Sequence, residues 1–272
     1  MKDFKSKLVL VTGSASGIGR ATALRFSDEG ADLILVDINE HGLEGAAREI
    51  ESRGRKALWY KTDLSNAAQV EALHGRVTDD IGTPDVLMNA AGVAVVTCVE
   101  EAGLDDWRWI LETNLWGYIH MIHYFLPDMI CRRGGHVINV ASGAGLFAVP
   151  YQAPYNTSKH AMVGLTESIR QEMGRYGIGA SVVCPGMIRT PMIDTARVIG
   201  FKDSAQKMAH RAASPPEKMA DAIIRGVRKN RAVIMYPPYV NLLYGLKRFS
   251  PRAADLLSKG ASRAFYRQHR MK

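Results

Sequence analysis

The sequence predicts a doubly wound α/β fold, with about seven parallel strands covered by helices on both faces and a basic helical tail at the C-terminus. Three observations carry this. Short runs such as LVLVT (8–12) and DLILVD (32–37) are apolar throughout, without the alternation of a half-solvated strand. Segments long enough for a helix separate each run from the next. The net charge of +8 lies almost wholly at one end: Gly245 to Lys272 carry eight Lys and Arg against one acid, Asp255.

In chain order, strands are expected at 8–12, 32–37, 56–62, 85–89, 136–141, 180–184 and 232–236. Helices are expected at 18–29, 40–53, 66–81 (ending at Gly82), 105–132 with a break near Pro127, 154–176 and 215–229. Residues 187–213 read as an irregular or helical, lid-like insertion, its lid spanning about 190–213. The expected organisation is one domain over 1–236, lid included, followed by a basic amphipathic extension over 237–272.

A chain of 272 residues, 47% hydrophobic and 23% charged, has an ordinary globular composition, so disorder, collagen and coiled coil are not expected. No apolar run approaches the ~20 residues needed to cross a bilayer. The opening MKDFKSK has no apolar signal core, and Cys98, Cys131 and Cys184 are far apart. The expectation is a cytoplasmic protein in a reducing compartment, without a Cys-based metal site. The body is nearly neutral, which argues against nucleic acid as a partner.

The turn Thr12-Gly13-Ser14-Ala15-Ser16-Gly17-Ile18-Gly19 closes the first strand and opens the first helix. Glycines there let the backbone approach a pyrophosphate, and free N–H groups at the helix start bind phosphate. Asp37 ends the second strand, where an acid can accept bonds from ribose hydroxyls; the other reading is a helix N-cap before Asn39-Glu40. A carboxylate at 37, followed by Ile38 and with Ser16 in the turn, repels a 2′-phosphate, so the cofactor is read as NAD.

Tyr155 and Lys159 are one helical turn apart on one face. A phenol titrates near pH 10, and an ammonium close by can lower that towards neutrality, making a proton donor and acceptor. A bare surface pair is the competing reading. Ser142 follows the fifth strand, where its hydroxyl can bond a substrate oxygen; VASGA lacks the first glycine of a nucleophile elbow. Asn114 sits inside a helix, an intrinsically poor place for asparagine.

With these residues in order, the chain resembles the classical short-chain dehydrogenases/reductases over about residues 5 to 236, and hence the Rossmann fold. The marks are the TGSASGIG turn, Asp63-Leu64, Asn89-Ala90-Ala91-Gly92, Asn114, Ser142, Tyr155 with Lys159, and Pro185-Gly186. Met88 and Ala141 are mild departures. The resemblance implies that Asn114, Ser142, Tyr155 and Lys159 are catalytic. It further implies that Asp63 and Leu64 meet the adenine, that Asn89 and Gly92 line the cofactor groove, and that Ile188 and Thr190 hold the nicotinamide carboxamide. Lys159 should also bond the nicotinamide ribose, and Asn114 should hold a water that relays protons.

The function expected is metal-free, NAD-dependent interconversion of a secondary alcohol and a ketone. The runners-up are an NADP-linked carbonyl or ketoacyl reductase and a non-catalytic nucleotide-binding scaffold. Met192, Ile193, Val198, Ile199, Phe201 and Met208, with Leu146, Phe147, Val149 and Tyr151, suggest an apolar pocket for a bulky or lipophilic substrate; plain packing is the alternative. A homodimer or homotetramer is expected, because Trp107, Trp109, Trp116, Met121 and Phe125 exceed what one core face needs. In the tail, Ser250-Pro251 reads as a helix start with Ser as N-cap. Ala254, Leu257, Ala261, Ala264 and Phe265 are expected on one face, opposite Lys259, Arg263, Arg267 and Arg270. That helix packs on its own subunit or a neighbour, or lies peripherally on the inner face of a membrane, with Tyr239 to Leu246 dipping into it.

Overall fold

The apolar runs pair side by side because a strand buried on both faces must satisfy its backbone in a sheet. The computed structural model describes residues 3–271. In chain order the elements are β1 (Leu8–Thr12), α1 (Gly17–Asp28), β2 (Asp32–Asp37), α2 (Glu40–Ser52), β3 (Ala57–Lys61), α3 (Ala67–Asp80), β4 (Val86–Asn89), β5 (Val95–Val96), α4 (Leu104–Leu111) and α5 (Gly117–Arg132). Next come β6 (Gly135–Val140), α6 (Ala153–Met173), β7 (Ile178–Pro185), α7 (Met192–Thr195), β8 (Arg197–Val198), α8 (Ser204–Ala212), α9 (Pro216–Arg228), β9 (Val233–Tyr236), α10 (Pro238–Phe249) and α11 (Pro251–His269).

Seven strands form one parallel sheet in the order β3-β2-β1-β4-β6-β7-β9. The order reverses between β1 and β4, which opens a crevice at the carboxyl ends of the strands. Alternate side chains feed two cores. Val9, Val11, Leu33 and Leu35 pack under α1, α2 and α9 with Phe26, Leu43, Ile50 and Ile223. Leu10, Ile34, Val36 and Leu87 face α3, α5 and α6 through Leu73, Val77, Phe125 and Ile169. Asn39 and Asn66 cap α2 and α3, accepting from Gly42 N (3.1 Å) and Gln69 N (3.2 Å).

Three expectations about the helices need correction. The long helix does not break at Pro127, which lies within α5. Pro127 and His123 are both exposed, so the carbonyl that loses its N–H partner faces water. The interruption is upstream, a π-helical turn at Glu112–Trp116. Met121 and Phe125 are core residues, leaving Trp116 and Leu104 as the exposed apolar groups of this region. Ser250 precedes α11 but makes no side-chain cap bond.

The tail packs on its own chain, with a face rotated from the expected one. Ala254, Ser258, Ser262, Phe265 and His269 turn inward, while Leu257, Ala261 and Ala264 stay exposed. The small serines let Tyr151 approach: its Oη bonds Ser262 Oγ (2.7 Å), and its ring stacks on Phe265 at 5.6 Å. Arg270 is not on the free basic face, because it pairs with Glu101 and bridges Phe201. No helix among the described residues is long and apolar enough to cross a membrane.

Candidate active site

The crevice begins at the glycine turn. Gly13 has φ +65°, and a Cβ there would lie 2.6 Å from Ala91 N; a Cβ on Gly19 would collide with Gly13 O. Gly17, at φ +54°, lies under Thr190, whose Cγ2 would be 2.9 Å from an added Cβ. The turn is therefore pressed between the β4 loop and the start of the insertion, with Ser16 exposed and Ile18 half-buried. Thr12 Oγ1 accepts from Ala90 N at 3.0 Å and ties the two loops together. Backbone crowded this closely tolerates no side chain, as a phosphate cradle requires.

At one end stands Asp37. Its carboxylate accepts from Ala15 N (3.1 Å) and Asn39 N (3.0 Å), while Asn39, not Asp37, caps α2. The N-cap alternative for Asp37 is thus filled by its neighbour. Ile38 is exposed, and Lys61, in register with Asp37, is drawn to Glu40 at 3.3 Å. Asp63 follows β3, its Oδ1 accepting from Ser65 N (3.0 Å) and Ser65 Oγ (2.7 Å); Leu64 is buried against Gly117.

At the other end, Gly92, Asn114 and Lys159 converge: a Cβ on Gly92 would lie 3.1 Å from Asn114 Oδ1 and 3.6 Å from both Lys159 Nζ and Met192 Cε. Asn114 is fully buried in the π-turn. Its amide accepts from Val93 N (2.8 Å) and donates to Val93 O (2.9 Å) and Ser158 Oγ (3.3 Å). The side chain expected to hold a water is thus engaged in bracing the Gly92–Val93 loop. Lys159 is buried and donates to Val140 O at 3.1 Å; its Nζ stands 5.6 Å from the ring centroids of both Tyr155 and Tyr118. Ser142 follows β6 and faces Tyr155. Its Oγ accepts from Ala144 N (3.1 Å), and its own O–H is turned to Tyr155.

Burial sets the protonation of this cluster. It pushes the Lys159 ammonium down to about 8, opposed by the Cys184 thiol nearby. It pushes the Tyr155 phenol above its ordinary value, with the Ser142 hydroxyl pulling the other way. Burial disfavours the phenolate, and Lys159, bonded to Val140 O with its Nζ 5.6 Å from the Tyr155 ring centroid, does not offset that here.

Several residues expected along the groove are also engaged with the protein itself. The Asn89 side chain is fully buried between strands and donates to Asn139 Oδ1 (2.9 Å); Asn139 in turn donates to Thr166 Oγ1 (3.0 Å). Gly186 lies against Tyr239 of α10, whose Oη accepts from Met187 N at 2.6 Å, and Ile188 is buried beside Ser214. Leu146 packs with Tyr118 and Met162, and Phe201 packs between Tyr151 and Phe265, so both serve packing. Sequence reasoning missed Tyr118, whose Oη donates to Ala91 O at 2.7 Å. It lies four residues beyond Asn114, a spacing that shares a helix face. Tyr239 had no such local signal.

The insertion is tied down on two sides. β8 pairs with β5, and Arg197 bonds Asp106 (3.0 Å) and lies over the Trp109 ring at 3.7 Å. From the tail, His269 O accepts from Lys202 N (2.8 Å), His269 Nδ1 bonds Ser204 Oγ (2.8 Å) and Met271 N donates to Gly200 O (3.0 Å).

Comparison with known proteins agrees with this geometry. The family model for short chain dehydrogenases matches residues 7–198. The probable oxidoreductase EphD of Mycobacterium tuberculosis is 34% identical over 261 residues, covering 92% of this chain and 44% of that protein, so the chain spans less than half of that relative. The 17-beta-hydroxysteroid dehydrogenase 13 of Rattus norvegicus is 30% identical over 253 residues, covering 92% of this chain and 81% of that one. A crystal structure of a short chain dehydrogenase/reductase from Burkholderia phymatum in complex with NAD superposes with a TM-score of 0.85 at 29% identity, covering 91% of this chain and 95% of that one. Crevice, residue order and matched length agree, and the chain belongs to the short-chain dehydrogenase/reductase family of oxidoreductases.

Proposed function

We propose that the chain is an NAD-dependent oxidoreductase that interconverts a lipophilic secondary alcohol and its ketone. The observation that carries this is that Tyr155 has the Ser142 hydroxyl on one side and Lys159 on the other, with Lys159 reaching to Gly92 and the glycine cradle on the same edge of the sheet. The nicotinamide, when bound, supplies the hydride acceptor or donor. In reduction the Tyr155 phenol, kept protonated by burial, gives its proton to the ketone oxygen; in oxidation the phenolate, formed first by loss of that proton to solvent, takes the hydroxyl proton. Ser142, whose O–H is turned to Tyr155 here, donates it to the substrate oxygen when substrate binds. Lys159, with one N–H on Val140 O, has two left for the cofactor ribose and for Tyr155. Asn114 holds the Gly92–Val93 wall in place.

Asp37 beside an exposed Ile38 supports NAD over NADP, since a 2′-phosphate would meet a carboxylate already turned to the glycine turn. A lipophilic substrate is supported by Met192 above Gly92 and by the name of the hydroxysteroid dehydrogenase relative. Residues 190–213 act as the lid. A homodimer or homotetramer uses the surface around Leu104 and Trp116. A panel of lipophilic secondary alcohols, with NAD and with NADP, tests the reading through the absorbance of the reduced cofactor. Turnover with NAD that falls by about 100-fold or more in Tyr155→Phe is expected. A substrate turned over equally well by that variant would overturn it.

A further inference from the structure

Eight of the fifteen large apolar side chains exposed among the described residues lie in the last two helices and their ends: Tyr239, Leu242, Leu243, Phe249, Leu256, Leu257, Tyr266 and Met271. Phe249 is 90% exposed, Leu242 74%, Leu256 71% and Leu257 61%. On α10, Val240 is buried and Tyr244 half-buried. At about 100° per residue, Leu242 and Phe249 point opposite to them. On α11 the inward stripe is Ala254, Ser258, Ser262, Phe265 and His269. The outward side combines Arg252, Leu256, Arg263 and Arg267, flanked by Leu257 and Ala264. Lys259 is paired with Asp255 (2.7 Å), whereas no salt bridge among the described residues engages Arg252, Arg263 or Arg267. Apolar side chains left in water beside unpaired arginines call for a partner that is apolar below an anionic surface.

We propose that the outward face of α10 and α11 docks on an anionic lipid bilayer, with Leu242, Phe249, Leu256 and Leu257 entering the interface and the arginines on the headgroups. Charge selects this occupant over a second copy of the chain. A two-fold contact would set the same patch against itself, arginine against arginine. The inward face of α11, through Ser258 and Ser262 with Tyr266 at its rim, lines a surface cavity of about 420 Å³ bounded by Val149 and Tyr151. Only the thickness of one helix, about 10 Å, separates that cavity from the docked face.

Co-sedimentation of the full chain with vesicles of phosphatidylcholine alone, or mixed with phosphatidylglycerol, tests this. Wild type should partition onto the mixed vesicles and lose most of that binding as salt is raised. Replacing Leu242, Phe249, Leu256 and Leu257 by Ser should lower the partition coefficient by about tenfold or more. Arg252→Glu, Arg263→Glu and Arg267→Glu together should do the same. All these side chains are exposed, and thermal melts matching wild type would establish that the variants fold. Wild type that binds mixed vesicles no better than neutral ones overturns the proposal. So does a Ser variant that binds as well as wild type, or one whose only change is a smaller oligomer by light scattering.

Discussion

Lys159 is a positive charge that the fold holds at a cost to stability, and its removal should make the protein more stable while disabling it. Burial pushes its ammonium from the ordinary 10.5 down to about 8. At about 1.4 kcal/mol per pH unit, that gap is a ceiling of about 3.5 kcal/mol against folding. Below pH 8 both folded and unfolded chains carry the proton, so the penalty is complete. Between about pH 8 and 10.5 the folded chain sheds it first, and stability rises; above that range nothing remains. Lys159→Met keeps the volume without the charge. It gives up a hydrogen bond to Val140 O, about 1 kcal/mol, and ring contacts of up to about 1 kcal/mol. Val140 O keeps Tyr118 Oη at 3.2 Å, a weaker contact because the one hydroxyl hydrogen is shared with Ala91 O at 2.7 Å. A net gain of about 1–2 kcal/mol should raise Tm by about 2–6 °C at pH 7. The gain should shrink towards pH 9.5, where the wild-type lysine is mostly neutral. Calorimetry with NAD on the same samples should show weakened binding. A variant that melts below wild type at pH 7, or a difference that does not change with pH, would refute the reasoning.

Four further outcomes are expected. Asp37→Ala with Ile38→Arg should cut the NAD-over-NADP ratio in kcat/KM by about tenfold, equivalent to about 1.4 kcal/mol, read from steady-state kinetics with both cofactors. Arg270→Ala should loosen the clamp on Gly200 and Glu101, visible as faster hydrogen exchange over residues 198–212 with the sheet unchanged. Asn139→Ala strands the Asn89 amide, whose Oδ1 already has no partner, and should destabilise by about 1–3 kcal/mol in denaturant titration. Light scattering at micromolar concentration should find wild type larger than a monomer, and Trp116→Glu should shift it towards monomer.

Those residues also mark how far the chain could be read in advance. All seven strands lie where the apolar runs are, because a strand buried on both faces writes its burial into consecutive residues. The glycine turn was legible for a related reason: Gly13 and Gly19 answer steric demands that no other residue meets. Ser142, Tyr155 and Lys159 are brought to one end of the sheet because each is tied by its position to the end of one strand or to the turn of helix after another. What was not legible depends on contacts between distant segments. The direction of the Tyr155 shift follows from burial, which spacing along a helix does not report. The π-turn at Glu112–Trp116 adds a residue to one helical turn and carries Asn114 to Val93, whereas a proline count points to Pro127.

The tail makes the same point more sharply. Its hydrophobic residues alone orient α11 with Leu257, Ala261 and Ala264 inward, whereas the helix settles on Ser258 and Ser262, under Tyr151. Two serines allow an aromatic ring and a hydroxyl to approach, and the stack of Tyr151, Phe201 and Phe265 stabilises that orientation more than burying Leu257 and two alanines would. The leucines left outside are then not packing errors. A helix that turns serines inward and leucines outward, beside arginines that form no salt bridge among the described residues, has its polarity set by two partners, the lid on one side and a second surface on the other.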